Sequence, residues 1–211
     1  MLRSLIFALS ACALIALFSA PAGCQSLAGL KPGDLPSAVD RSRWKLIASD
    51  GAETFRQEKY RDPYGTTLAV AYDRQTRKAL FIEMDWAGDP KGKDAAGVPS
   101  LIFGVTTLDD IRRTMGSNGF AYESNGGMIR EEGRLVAFNA YELKDRPETV
   151  AVFITVLEIG SLGGRIPKTE EVAKGFKLQS IILADMNYLD ALWGEAKIYD
   201  PNNKPAMWPT R

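Results

Sequence analysis

The sequence predicts an α+β fold: an antiparallel sheet of several hairpins, a short helix near residues 107–115 and C-terminal helices packing on one face. Three observations carry the prediction. In the run Lys78 to Asp85, Leu80, Ile82 and Met84 fall on one side and Phe81, Glu83 and Asp85 on the other, which is the period-2 pattern of a strand. Leu108, Ile111 and Met115 repeat instead at helical spacing behind Thr106 and Thr107, either of which can N-cap a helix, and Asp109 and Asp110 suit its first turn. Val150 to Leu157 is almost wholly apolar, as expected of a central strand covered on both faces.

The elements follow in chain order. Met1 to Gln25 has one early positive charge at Arg3, an uncharged apolar run from Leu5 to Ala20, then Pro21-Ala22-Gly23-Cys24, the order of a bacterial secretory signal. Ala20-Pro21-Ala22 fits ordinary signal-peptidase cleavage. Pro21-Ala22-Gly23-Cys24 resembles a lipobox that lipidates Cys24, although Pro21 stands where leucine is usual. Both readings stay open. Cys12 leaves with the leader under either, so Cys24 is the one cysteine available to the exported chain, and no internal disulfide is expected.

Residues 1–23 are thus expected as a signal peptide and 24–43 as a flexible tether, because Gly29, Pro32, Gly33 and Pro36 interrupt any periodicity. Residues 44–211 are expected as a single α+β envelope domain. Strands are predicted at 44–48, 54–59, 66–72 and 78–85. Residues 87–99, with Gly88, Pro90, Gly92, Gly97 and Pro99, form a long mobile or partner-contacting loop and a possible sub-boundary. The helix follows and stops at Gly116. Strands are then predicted at 120–123, 128–131, 134–143 and 149–158, with a glycine-rich turn at 160–164. A helix starts near 168–174, and 178–193 is predicted as a helix closing over the sheet, ended by Gly194. The first part, 178–183, also suits a strand. The tail from Asp200 carries Pro201, Pro205 and Pro209 and should be extended, with Trp208 pinning it.

Composition narrows the chemistry. The 211 residues balance 26 Lys+Arg against 26 Asp+Glu, and loss of Arg3 leaves 25 against 26, so no nucleic-acid footprint is present. There is no histidine, which excludes a Ser-His-Asp triad, Cys-His catalysis and histidine-ligated zinc. No nucleophile elbow, phosphate loop or dinucleotide fingerprint occurs, and neither a cofactor nor a metal is expected.

Carboxylates and aromatics remain. Glu83 and Asp85 share a strand face, with Asp62, Asp73 and Asp89 in flanking loops. Such a pair can hydrolyse a glycan as acid and nucleophile, or hold calcium through oxygen ligands, or simply lie solvated beside Arg74 and Lys78. Tyr60, Tyr64, Tyr72 and Trp86, with Phe103, can form a sugar-stacking or protein-binding surface, or finish the core. Arg112 and Arg113, on the outer side of the short helix, can meet an anionic partner or face solvent.

The segment Gly104-Val105-Thr106-Thr107-Leu108-Asp109-Asp110-Ile111, then Met115-Gly116 and a hairpin, resembles small outer-membrane-assembly lipoproteins and β-lactamase-inhibitor-like domains over about residues 104–157. Those families usually place proline after the Leu-Gly, where this chain has Ser117. The resemblance implies a binding or scaffolding module. The expectation is a non-enzymatic exported protein of the periplasm or outer membrane. It would bind an envelope protein or cell-wall component, with a lipid anchor through Cys24 as an option. The alternatives are a hydrolase built on Glu83 and Asp85, and a small-ligand carrier with an apolar cavity under the last helix.

Overall fold

A computed structural model describes residues 25–94, 96–125, 127–162 and 169–209. The expected signal peptide and Cys24 lie outside the described residues. The protein is mostly antiparallel sheet with few helices, 43% strand against 18% helix, so strands and not helices set its architecture. Four strands come first as a meander: β1 (Lys45–Gly51), β2 (Phe55–Arg61), β3 (Thr67–Asp73) and β4 (Ala79–Asp85). The helix α1 (Leu108–Met115) leads into β5 (Phe120–Tyr122), β6 (Met128–Glu131), β7 (Arg134–Leu143) and β8 (Arg146–Glu158). Then come α2 (Thr169–Gly175), β9 (Lys177–Asp185), α3 (Met186–Trp193) and β10 (Lys197–Tyr199).

The ten strands of the described residues join one sheet in the order β1-β2-β3-β4-β9-β8-β7-β5-β10, with β6 on β7. Strand β9 is the joint. It pairs with β4 on one side (Ile82 opposite Leu183) and with β8 on the other (Ala151 opposite Leu183), uniting the first meander with the later hairpins. This corrects the helix predicted over 178–193. Only Met186–Trp193 is helical, because Leu178 to Ala184 is buried on both faces of a central strand. A continuous apolar run cannot separate such a strand from a helix by period.

Both faces of the sheet are covered near its centre. Val70, Ile82, Met84, Phe153, Ile181 and Leu183 point to the larger core. Ala71, Phe81, Val150, Val152 and Ile182 point to a second core, which Leu189 of α3 closes with Tyr188 and Trp193 at its edge. Tyr188 packs against Phe81 with ring centroids 5.9 Å apart.

The residues expected as a tether are instead a cover over the larger core. Leu27, Leu30 and Val39 are buried in it with Trp44. Backbone bonds also fasten this segment to the start of β4: Gly33 N donates to Ala79 O and Ala79 N to Asp34 O. The segment's glycines and prolines serve turns that let leucines reach the sheet, Gly29 at φ +82° and Gly33 at φ +94°. The loop 87–99 is no boundary either, because Ala96 and Val98 lie in the same core as strands on both sides of it, and Ala28 N donates to Ala96 O. Trp208 is buried and stacks on Phe153 at 6.3 Å, fixing the extended tail as expected.

Candidate functional site

Helix α1 organises a polar pocket between α2 and the C-terminal tail. Thr107 accepts a bond from Asp110 N at its side chain, while Asp110 accepts from Thr107 N, so the helix starts on a complete capping box. The Thr107 hydroxyl and amide hold the Asp110 carboxyl below its ordinary value. Ile111 and Met115 face the core, which turns Arg112 and Arg113 outward. At Gly116 (φ +63°) the chain reverses into Ser117 and Asn118. There, Ser117 Oγ accepts from Lys204 N at 3.1 Å and Asn118 Nδ2 donates to Pro201 O at 2.7 Å, so the C-terminal tail becomes the opposite wall.

The pocket is open to solvent and has a volume of about 840 Å³. Arg112, Arg113, Lys174 and Lys204 line it, with Asp109 as the one lining carboxylate among the described residues. Arg112 is bonded to Asp200 at 3.0 Å, and Arg113 to Asp109 and Asp110 at 3.0 and 2.8 Å. The ammonium groups of Lys174 and Lys204 have no ion-pair partner among the described residues. Asn118, Asn202 and Asn203 add amide donors and acceptors. The pocket is therefore cationic and suited to an acidic group. Sequence reading found Arg112 and Arg113. It missed Lys174 and Lys204, which stand far from α1 in the chain and carry no local pattern.

The proposed carboxylate pair is differently placed. Glu83 and Asp85 do share the side of β4 that carries Phe81, but neither lines this cavity. Asp85 is exposed and accepts from Ser180 Oγ at 2.6 Å. Glu83 is half-buried, and burial pushes its carboxyl up, helped by the charge of Asp85 and opposed by Lys59. The other acids hold turns. Asp62 accepts from Tyr64 N and Thr66 N, both at 2.9 Å, Asp73 from Thr76 N at 2.6 Å, and Asp89 from Lys91 N at 2.8 Å. Among the described residues no group of three or more Asp, Glu, His or Cys is placed to hold a metal ion.

The aromatic candidates do not form one exposed surface. Tyr60 and Tyr72 are buried, Tyr64 is exposed on its turn, and Trp86 is half-buried, stacked on Phe103 and donating Nε1 to Asp89 O at 2.8 Å. Burial and a hydrogen bond to Glu58 raise the Tyr60 phenol. No helix of the described residues is long and apolar enough to cross a membrane. The chain matches no protein-family model, no curated protein and no solved structure. The likeness of residues 104–157 to outer-membrane-assembly lipoproteins therefore rests on its short motif alone.

Proposed function

We propose that the chain is an exported, non-enzymatic binding or scaffold module of the bacterial cell envelope, gripping an acidic group of an envelope protein or cell-wall component in the cavity beside α1. One observation supports this most: Lys174 and Lys204 line a pocket of about 840 Å³ with no ion-pair partner among the described residues. The leader supplies the address and the Cys24 lipid an optional anchor. In this reading the hairpin sheet and its C-terminal helices form the rigid α+β body that holds α1 against the tail. The test is in-cell crosslinking of the full precursor, compared with the K174E/K204E variant, followed by mass spectrometry that also reads the mature N-terminus. An envelope partner recovered at high stoichiometry with the wild type and lost with the variant is expected. Recovery of the protein alone, or equal capture by both, overturns the proposal.

The raised carboxyl of Glu83 beside Asp85 favours the hydrolase as a second reading, since two neighbouring carboxyls, one pushed up by burial, are the groups glycoside cleavage uses. Loss of sacculus cleavage in both E83Q and D85N is its expectation, and no cleavage by the wild type ends it.

A further inference from the structure

We propose a second site, independent of the α1 cavity: the pocket walled by Arg41, Arg56, Arg74 and Arg77 binds a phosphate monoester. It has a volume of about 570 Å³, within the range of small-molecule sites. Four stretches of chain meet there, namely the segment around Pro36 to Arg41, β2, the end of β3, and the β3–β4 turn. Its floor follows from register. Arg56 lies opposite Tyr72, and Glu58 opposite Val70, so Arg56, Glu58, Tyr60 and Tyr72 share one face of the β2–β3 pair.

Glu58 is 4% exposed and already satisfied. It accepts from the Tyr60 hydroxyl, pairs with Arg56 at 2.7 Å and lies 3.7 Å from Arg41, which also stacks over the Tyr60 ring at 4.6 Å. That network explains Arg41 and Arg56 as clamps fastening the N-terminal cover to the sheet. It does not explain the other two arginines. Arg74 donates Nε to Phe55 O at 3.2 Å, while the Arg77 guanidinium has no partner among the described residues. Arg77 sits in the left-handed region at φ +60°, unusual for a side chain of its size. The turn that holds it there is tied by Asp73, which bonds Thr76 and whose carbonyl accepts from Arg77 N at 2.8 Å.

An unsatisfied donor points the same way. Tyr72, 3% exposed, lines the pocket, and its hydroxyl has no hydrogen-bond partner among the described residues. Burial, with the negative charge of Glu58, pushes its phenol up to about 12, against the neighbouring Tyr60 hydroxyl that lowers it, so at neutral pH the hydroxyl keeps its proton. Charge decides the ligand class. Four guanidinium groups face two carboxylates, Glu58 and Asp73, leaving an excess of two positive charges in the wall. A phosphate monoester carries about −1.5 to −2 at neutral pH, and its terminal oxygens can take both guanidinium forks and the Tyr72 hydroxyl. A carboxylate has half that charge and one oxygen fewer.

In an envelope protein the ester can be a soluble metabolite or a lipid headgroup, and the test separates them. The mature full-length protein is titrated calorimetrically with glycerol 3-phosphate, with glycerol as control. It is then sedimented with phosphatidylcholine vesicles with and without phosphatidic acid. Saturable binding to either phosphate probe is expected, in solution for a soluble ligand, or on phosphatidic acid vesicles alone for a headgroup. Affinity should fall by about tenfold or more in R74Q/R77Q and severalfold in Y72F, as for lost bonds to a charged group. Both variants leave the Glu58 clamp intact, and thermal unfolding checks each fold. Binding of neither probe, or wild-type binding by both variants, overturns the proposal.

Discussion

Replacing Gly104 with alanine tests how the motif before α1 is held. Gly104 has φ +69°, and its amide donates to Leu178 O at 2.8 Å, so the backbone is anchored to the start of β9. A β-carbon added there would lie 2.4 Å from Cη2 and Cζ3 of Trp86, well inside contact distance. Trp86 cannot swing away cheaply, because its ring stacks on Phe103 at 6.5 Å and its Nε1 is bonded to Asp89 O. The left-handed conformation costs an alanine about 1–2 kcal/mol, and overpacking adds about 1–3 kcal/mol. Gly104→Ala should therefore destabilise the protein by about 2–5 kcal/mol. The assay is urea unfolding of the wild type, G104A, W86A and the double variant. In the W86A background the steric share disappears and G104A should cost only the backbone part, about 1–2 kcal/mol, giving a coupling of about 1–3 kcal/mol. A cost for G104A below about 1 kcal/mol, or the same cost in both backgrounds, would refute the steric account.

Two further outcomes follow from other parts of the chain. Leu27→Ala and Leu30→Ala, at 0% and 2% exposure, should each cost about 2–5 kcal/mol in urea unfolding, whereas residues of a loose tether would leave the midpoint unmoved. Glu83 supplies a pH dependence. Its folded carboxyl titrates above the ordinary 4.5, so the native state binds the extra proton and stability declines as pH rises from about 4.5 through the folded value. Thermal unfolding of E83Q should accordingly exceed the wild type at pH 7 and converge on it below pH 4.5. A constant offset across that range would show that titration of Glu83 is not the cause.

The reading from residues succeeded where local chemistry decides the outcome. Thr107, Asp110 and Gly116 delimit α1 by caps that need no tertiary partner, and the hairpins β3–β4 and β7–β8 declare themselves by the alternation of β4, the apolar run of β8 and polar turns. It failed where an apolar run had two solutions. Leu178 to Ala184 has the hydrophobicity of either a buried helix or a central strand, and the free edges of β4 and β8 chose the strand by satisfying its backbone on both sides. The site was half legible. Arg112 and Arg113 show on the helix period, but Lys174 and Lys204 reach the same cavity from α2 and the tail. Tyr60 and Tyr72 stand out as aromatics, yet their burial under Arg41 depends on how the N-terminal segment folds back.

The sequence by itself determined the strand-rich body, the capped helix and the absence of histidine chemistry. These follow from residue type and short-range spacing, which the chain carries wherever it goes. Only the tertiary structure decided that residues 25–43 cover a core, that β9 joins the first meander to the later hairpins in one sheet, and that arginines spread over positions 41 to 77 converge on one pocket. Those outcomes depend on which surfaces remain open once the hairpins have paired, and burial of apolar faces and backbone groups settles that between segments distant in sequence.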